Sequence, residues 1–112
     1  MQHLMLIYHD DAKMAAFSQK DQDAIGVAYG EFNAFLSESG ASRGTATWPA
    51  NITTVLSRDG KTVTREGSYQ TGNGVAGFFL IDVADLATAI QFAERVPIGD
   101  FGAVEIRPVQ QP

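Results

Sequence analysis

Few residues in this chain have the type and position to do chemistry. His9 closes the apolar run Leu4-Met5-Leu6-Ile7-Tyr8 and is followed at once by Asp10 and Asp11. An imidazole titrates near neutral pH, and a strand end is where loops gather, so His9 is the candidate general acid or base. A partner carboxylate could come from Asp10 or from Asp82, which ends a second apolar run, Val75 to Ile81. The competing reading of His9 and Asp10 is a solvated turn, and that of Asp82 is a helix cap or turn residue. Tyr8, Tyr29, Trp48 and Tyr69 could wall a small-molecule cleft with aromatic surface and polar tips. Tyr29 also falls on the apolar stripe of a helix, where core packing is the stronger reading. Arg65 and Glu66 precede a glycine-rich stretch and could bind an anion or activate water; the alternative is an exposed pair of opposite charges at a strand end.

Other chemistries find no support. The chain has no cysteine, which removes disulfides, thiol nucleophiles and cysteine-bound zinc and fits a reducing cytoplasm. His3 and His9 are the only histidines, and adjacent His9, Asp10 and Asp11 would diverge on extended backbone, so neither a metal nor another cofactor is expected. Gly72-Asn73-Gly74-Val75-Ala76-Gly77 satisfies G-x-G-x-x-G, but it opens a strand where a dinucleotide site needs a helix N-terminus. No G-x-S-x-G elbow is present, and Ser68 has no identifiable base. A net charge of −5 opposes the phosphate neutralisation that nucleic-acid binding requires. The apolar runs are far shorter than the ~18 residues of a membrane span. The N-terminus lacks the charged, apolar and small-residue succession of an export signal, so a cytoplasmic location is expected.

The elements that must position these residues follow from periodicity. At 112 residues, 45% hydrophobic and 19% charged, the chain is expected to fold as one domain over residues 1–112. Gln2 to Tyr8 reads as a strand with Leu4 and Leu6 on one face and Met5 and Ile7 on the other. Ser18-Gln19-Lys20-Asp21 has the form of a capping box, and Ile25, Tyr29, Phe32 and Leu36 repeat at helical spacing until Gly40 ends the helix. Thr45 to Trp48, Ile52 to Ser57 and Thr62 to Glu66 are threonine- and valine-rich strands, separated by Pro49 and glycines; Asp59-Gly60 suits a type I′ turn. Gly67 to Gly74 reads as a loop and Val75 to Ile81 as a strand apolar on both faces. Asp85 is the expected cap of a helix carrying Leu86, Ala89, Ile90 and Ala93, with Pro97 beyond it. Ala103 to Val109 alternates Val104 and Ile106 with Glu105 and Arg107, and Pro108 places it at a sheet edge.

This order is α+β: a ferredoxin-like, split βαβ arrangement, β-α-β-β-α-β with an extra hairpin strand. Two helices cover one face of such a sheet. The other face would show apolar side chains from both central strands, which predicts a homodimer through the open sheet face.

The sequence resembles the YCII-related family, and within it the subgroup named for an Asp-Gly-Pro-Phe motif. The likeness rests on Leu4 to Tyr8, on Tyr29 and Phe32 followed by Ser39-Gly40, on Gly77-Phe78-Phe79-Leu80-Ile81-Asp82-Val83, and on Val104-Glu105-Ile106-Arg107-Pro108-Val109. Glu66-Gly67-Ser68-Tyr69 stands where the subgroup has its signature. The resemblance implies a dimeric α+β barrel. The wider family includes proteins with a proposed His-Asp pair and a dehydrochlorinase-like lyase, and some relatives occur beside or fused to sigma factors. Two function classes follow: a lyase or isomerase that moves a proton on a small organic acid or phenol through His9 with Asp10 or Asp82, or a non-catalytic ligand-binding or regulatory interaction module. Either would use a pocket of Tyr8 or His9 with Tyr69 or Arg65.

Overall fold

The computed structural model describes residues 1–48, 51–70 and 73–110. In chain order the elements are β1 (Gln2–Asp10), α1 (Asp11–Ala15), α2 (Gln19–Ser39), β2 (Ser42–Thr47), β3 (Thr53–Arg58), β4 (Lys61–Glu66), β5 (Asn73–Asp82), α3 (Leu86–Ala93) and β6 (Gly102–Pro108). The protein is α+β. β1 pairs antiparallel with both β5 and β6, and β2 pairs antiparallel with β5, giving a four-stranded sheet in the order β2-β5-β1-β6. That order agrees with the split βαβ arrangement, and β6 lies at an edge.

Alternation along β1 and β5 divides the sheet. Met5 and Ile7 face the helices together with Phe79, the partner of Met5, and Ile81, the partner of His3, and are buried with Phe32 and Leu36 of α2 and Ala89 of α3. Leu4 and Leu6 pair with Leu80 and Phe78 on the other face, outside that core. Phe32 meets Phe79 edge to face at 5.0 Å, which anchors the middle of α2 over β5.

Local signals set the helix ends. Ser18 Oγ accepts from Asp21 N at 3.1 Å and the Asp21 carboxylate accepts from Ser18 N at 3.1 Å, a complete capping box. Gly40, at φ 72°, closes α2 in the left-handed conformation. Asp85 accepts from Thr88 N at 2.9 Å and caps α3.

Three expectations are corrected. The turn after His9 is a short helix, α1, capped by Asp10; five residues carry too little periodicity to announce themselves. The run Gly67 to Gly74 is not all loop, because β5 already begins at Asn73; Pro49, Thr71 and Gly72 lie outside the described residues. Among the described residues the hairpin adds no strand to the main sheet: β3 and β4 pair there only with each other, turning at Asp59 (φ 52°) and Gly60 (φ 74°). Threonine-valine alternation looks the same in a strand that joins the sheet and in one that does not.

Ile7 and Phe79 are both 4% exposed or less, so a charge at either has no solvent to reach. Ile7→Asp and Phe79→Asp are expected to abolish folding, with loss of near-ultraviolet circular dichroism and of amide NMR dispersion. Phe79→Ala should cost about 3–5 kcal/mol in urea unfolding. Leu6→Asp, on the open face, should keep the folded spectrum.

Candidate functional site

The sequence places bulky residues on α2 and small ones beneath them. Ile25 and Tyr29 on the first half of α2 share the lining of a cavity of about 300 Å³ with Thr47 of β2 and Ala76 and Gly77 of β5, and the small Ala76 and the bare Gly77 leave that space between helix and sheet. A β-bulge helps to form it. Ile7 pairs with Gly77 but Tyr8 pairs with Val75, so Ala76 is an extra residue and β5 bends there. Gly77 is required for a second reason: a Cβ on it would lie 2.6 Å from Ala46 O on the adjoining strand.

His9 and Tyr29 supply ring polar groups to this cavity, and Thr47 adds a hydroxyl. His9 Nε2 lies 3.3 Å from Tyr29 Oη; in the tautomer protonated at Nδ1, the phenol donates to Nε2. The Phe101 ring meets the imidazole edge to face at 5.5 Å. Gly102 lets β6 come close at the same point, since a Cβ there would lie 2.6 Å from Tyr8 O and 3.3 Å from His9 Cδ2. Burial pushes the His9 pKa below its ordinary value, and nearby Asp11 offsets part of that. Burial pushes the Tyr29 phenol up to about 12. At neutral pH the pair is therefore an uncharged imidazole beside a protonated phenol. His9 also borders a more polar cleft with Lys13 and Asp100, so its ring stands between the cavity and solvent.

The two carboxylates expected beside His9 are engaged elsewhere. Asp10 Oδ1 accepts from Ala12 N at 3.0 Å and Lys13 N at 3.2 Å as the cap of α1. Asp82 pairs with Gln2 at the opposite end of β1, whereas His9 pairs with Gly74. Seven strand steps separate the two ends, about 23 Å at ~3.3 Å per residue. Asp82 instead meets the N-terminal ammonium at 2.8 Å and Arg43 at 3.6 Å; the hydrogen bond to the ammonium is the main cause that holds its carboxyl below the usual range. Thus His9 and Asp82 do not form one site.

The aromatic candidates fall into two groups. Tyr29 joins His9. Tyr8, Trp48 and Tyr69 line a different cavity of about 490 Å³, at the base of the hairpin, with Ser68 and Gln70. Arg65 lies 5.9 Å over the Tyr69 ring and donates to Tyr69 O at 3.0 Å. Glu66, on the hairpin's other face, is exposed. Tyr8 and Tyr69 thus share a cavity, while His9 and Arg65 do not.

Sequence reasoning did not find Thr47, Phe101 or Gly102. The pattern Gly99-Asp100-Phe101-Gly102 was a usable signal, since glycines flanking an aromatic residue before a strand point to a close backbone approach. Among the described residues no group of three or more His, Cys, Asp or Glu could hold a metal ion, and no helix is long and apolar enough to cross a membrane.

These features define an α+β domain with a split βαβ sheet and a mostly apolar cavity under its long helix. The sequence model of one family, the YCII-related domain, matches residues 1–111, and the chain belongs to that family. No curated protein matches it.

The burial of neutral His9 makes folding sensitive to pH. Its folded pKa lies below the unfolded value of 6.5. The unfolded chain then takes up the proton first as pH falls through that value, so stability declines until the folded pKa is passed and levels off below it. Urea midpoints measured from pH 7.5 down to pH 5 should fall, and His9→Gln should flatten that slope. An NMR titration of His9 Hε1 should give a midpoint below 6.5, the ordinary value.

Proposed function

We propose that this chain binds a small, mostly apolar molecule in the cavity between α2 and the sheet, with one neutral polar group of the ligand meeting His9 and Tyr29. The observation that carries the reading is the chemistry of the lining: apolar walls, a neutral imidazole hydrogen-bonded to a phenol and, among the described residues, no Lys or Arg. A carboxylate there would be desolvated without a counter-charge, so a phenol, ketone or amide fits better than an organic acid. Proton transfer by His9, as in a lyase or isomerase, is the second reading. It is favoured by the imidazole being held neutral and hence able to accept a proton, with Tyr29 as a fixed donor. We place the chain in the Asp-Gly-Pro-Phe subgroup as well, with Glu66-Gly67-Ser68-Tyr69 at the signature position.

The same proposal includes a homodimer through the open sheet face, as in a dimeric α+β barrel. Its support is the apolar set Leu4, Leu6, Phe78 and Leu80, which stands outside the core of its own chain. Light scattering should report a dimer at micromolar concentration, converted to a monomer by Leu6→Asp; a wild-type monomer would defeat this part.

For the ligand, thermal-shift and NMR screens should compare phenol and acetophenone with benzoate. The neutral compounds are expected to stabilise the protein increasingly as the logarithm of their concentration above Kd and to shift Tyr29 and His9 resonances. Tyr29→Phe should weaken binding by roughly fivefold, the worth of about one hydrogen bond. Binding of benzoate alone, or binding unchanged in both His9→Ala and Tyr29→Phe, would overturn the reading. Proton exchange at the α-carbon of a bound ketone, lost in His9→Ala, would support the catalytic version.

A further inference from the structure

The β3–β4 hairpin is built to close on itself and then left without a core. Its Asp59-Gly60 turn takes the positive φ angles of a tight hairpin, and its base is fastened by Gly67 N donating to Ile52 O at 2.7 Å and Thr54 Oγ1 donating to Gly67 O at 2.6 Å. Beyond that base, neither strand packs substantially on any other helix or strand of the described residues. The radius of gyration is 16.0 Å. A compact chain of this length is expected near ~13 Å, so the hairpin projects as an arm. An isolated two-stranded hairpin is marginal in water unless an apolar face is covered. Here Ile52, Val55 and Val63 stay exposed on the arm, with Trp48 and Tyr69 exposed at its base.

The pairing register shows what kind of surface the arm offers. Leu56 faces Val63, and the pairs on either side of it on the same face are Thr54 with Arg65 and Arg58 with Lys61. One face of the arm is therefore an apolar pair flanked by three of the chain's eight cations. The total charge is −5. Setting aside the arm's three cations and its two acids, Asp59 and Glu66, leaves −6 on the rest of the chain. On α2, exposed Asp21, Asp23, Glu31 and Glu38 with Lys20 account for −3 of it.

We infer that the β3–β4 arm is a clasp that lays its Leu56–Val63 face and its cations on a second copy of this chain. Charge selects the partner: the arm is cationic, every other copy is strongly acidic outside its own arm, and the chain as a whole would be repelled by a polyanion. Area points the same way. Four strands at ~4.8 Å by six residues at ~3.3 Å give a flat footprint of roughly 400 Å². Counted the same way, the arm's two strands add roughly 200 Å², enlarging the contact by about half toward the ~800 Å² of accessible surface that a standard interface takes from each partner. Two-fold symmetry makes the contact reciprocal, so each dimer carries two clasps. The inference rests on the dimer proposed above and adds to it a second, separately removable contact.

Sedimentation analysis of the full chain tests it. Leu56→Ser with Val63→Ser, and separately Arg58→Glu with Lys61→Glu and Arg65→Glu, should each weaken the dimer by at least about tenfold while the circular dichroism of the main sheet is kept. Rising salt should weaken the wild type more than the charge variant. Because the chain has no cysteine, Val63→Cys labelled with benzophenone maleimide gives one defined cross-linking point. Irradiating a mixture of ¹⁵N-labelled and unlabelled chains should yield peptides joining the arm of one copy to another copy. A dimer that both arm variants leave equally tight, with cross-links only inside one chain, overturns the clasp and leaves the sheet-face dimer standing. A wild type that is monomeric at micromolar concentration overturns both, and one that is monomeric yet sediments with anionic lipid vesicles overturns them in favour of a membrane partner.

Discussion

The pairing of β1 with β5 is the constraint on which everything else depends. Both strands are apolar on both faces, and their register decides which half of each is handed to the helices. With period two there is no intermediate solution: a slip of one residue would send Leu4 and Leu6 to the core and expose Met5 and Ile7. The single irregularity in that ladder, the bulge at Ala76, falls where α2 passes overhead, and it coincides with the cavity. The cavity is thus a consequence of how β5 departs from regular pairing, together with the small side chain of Ala76 and the absence of one at Gly77. Filling it from Gly77 would need a side chain where a Cβ would lie 2.6 Å from Ala46 O.

Much of the fold was legible because its signals are local. The alternation of Leu4 to Ile7, the Ser18–Asp21 box, the Gly40 stop, the Asp59-Gly60 turn and the Asp85 cap each act within a few residues and need no tertiary context. The site was legible only in part. His9 stood out by its chemistry, but its partner Tyr29 is 20 residues away and on a stripe that reads as core. Nothing local distinguishes a tyrosine buried for packing from one buried with its hydroxyl on an imidazole. Asp82 failed as a partner for a related reason: antiparallel pairing sends the two apolar runs in opposite directions, so the residues that end each run lie at opposite ends of the sheet. The arm was illegible because a strand's own residues do not say which strand will sit beside it.

A histidine without a carboxylate behaves differently from one with it. In a His-Asp pair the anion raises imidazole basicity and stabilises the protonated form. Here burial dominates and Asp11 opposes it only in part, so the proton is repelled. Tyr29 cannot take the anion's role, since its own environment keeps it protonated. The pair can therefore exchange hydrogen bonds with a neutral ligand at little electrostatic cost, whereas any step that left a full charge on His9 would have to borrow stabilisation from the ligand or from the polar cleft beside Lys13 and Asp100.

The two cavities lie on opposite faces of the sheet, and β1 joins them. Tyr8 and His9 are consecutive, so their side chains diverge, Tyr8 toward the base of the arm and His9 toward α2. A shift of the arm that moved Tyr8 would move the His9 backbone with it, and both are clamped on the other side by Gly102, which has no room for a side chain. The segment Glu66 to Tyr69, where the sequence departs from the subgroup signature, acts at the Tyr8 end of that strand and has no contact with the imidazole through its cavity. Substitution there can alter what the outer cavity and the arm meet while the His9–Tyr29 pair keeps its geometry, because the strand between them transmits position and not contact.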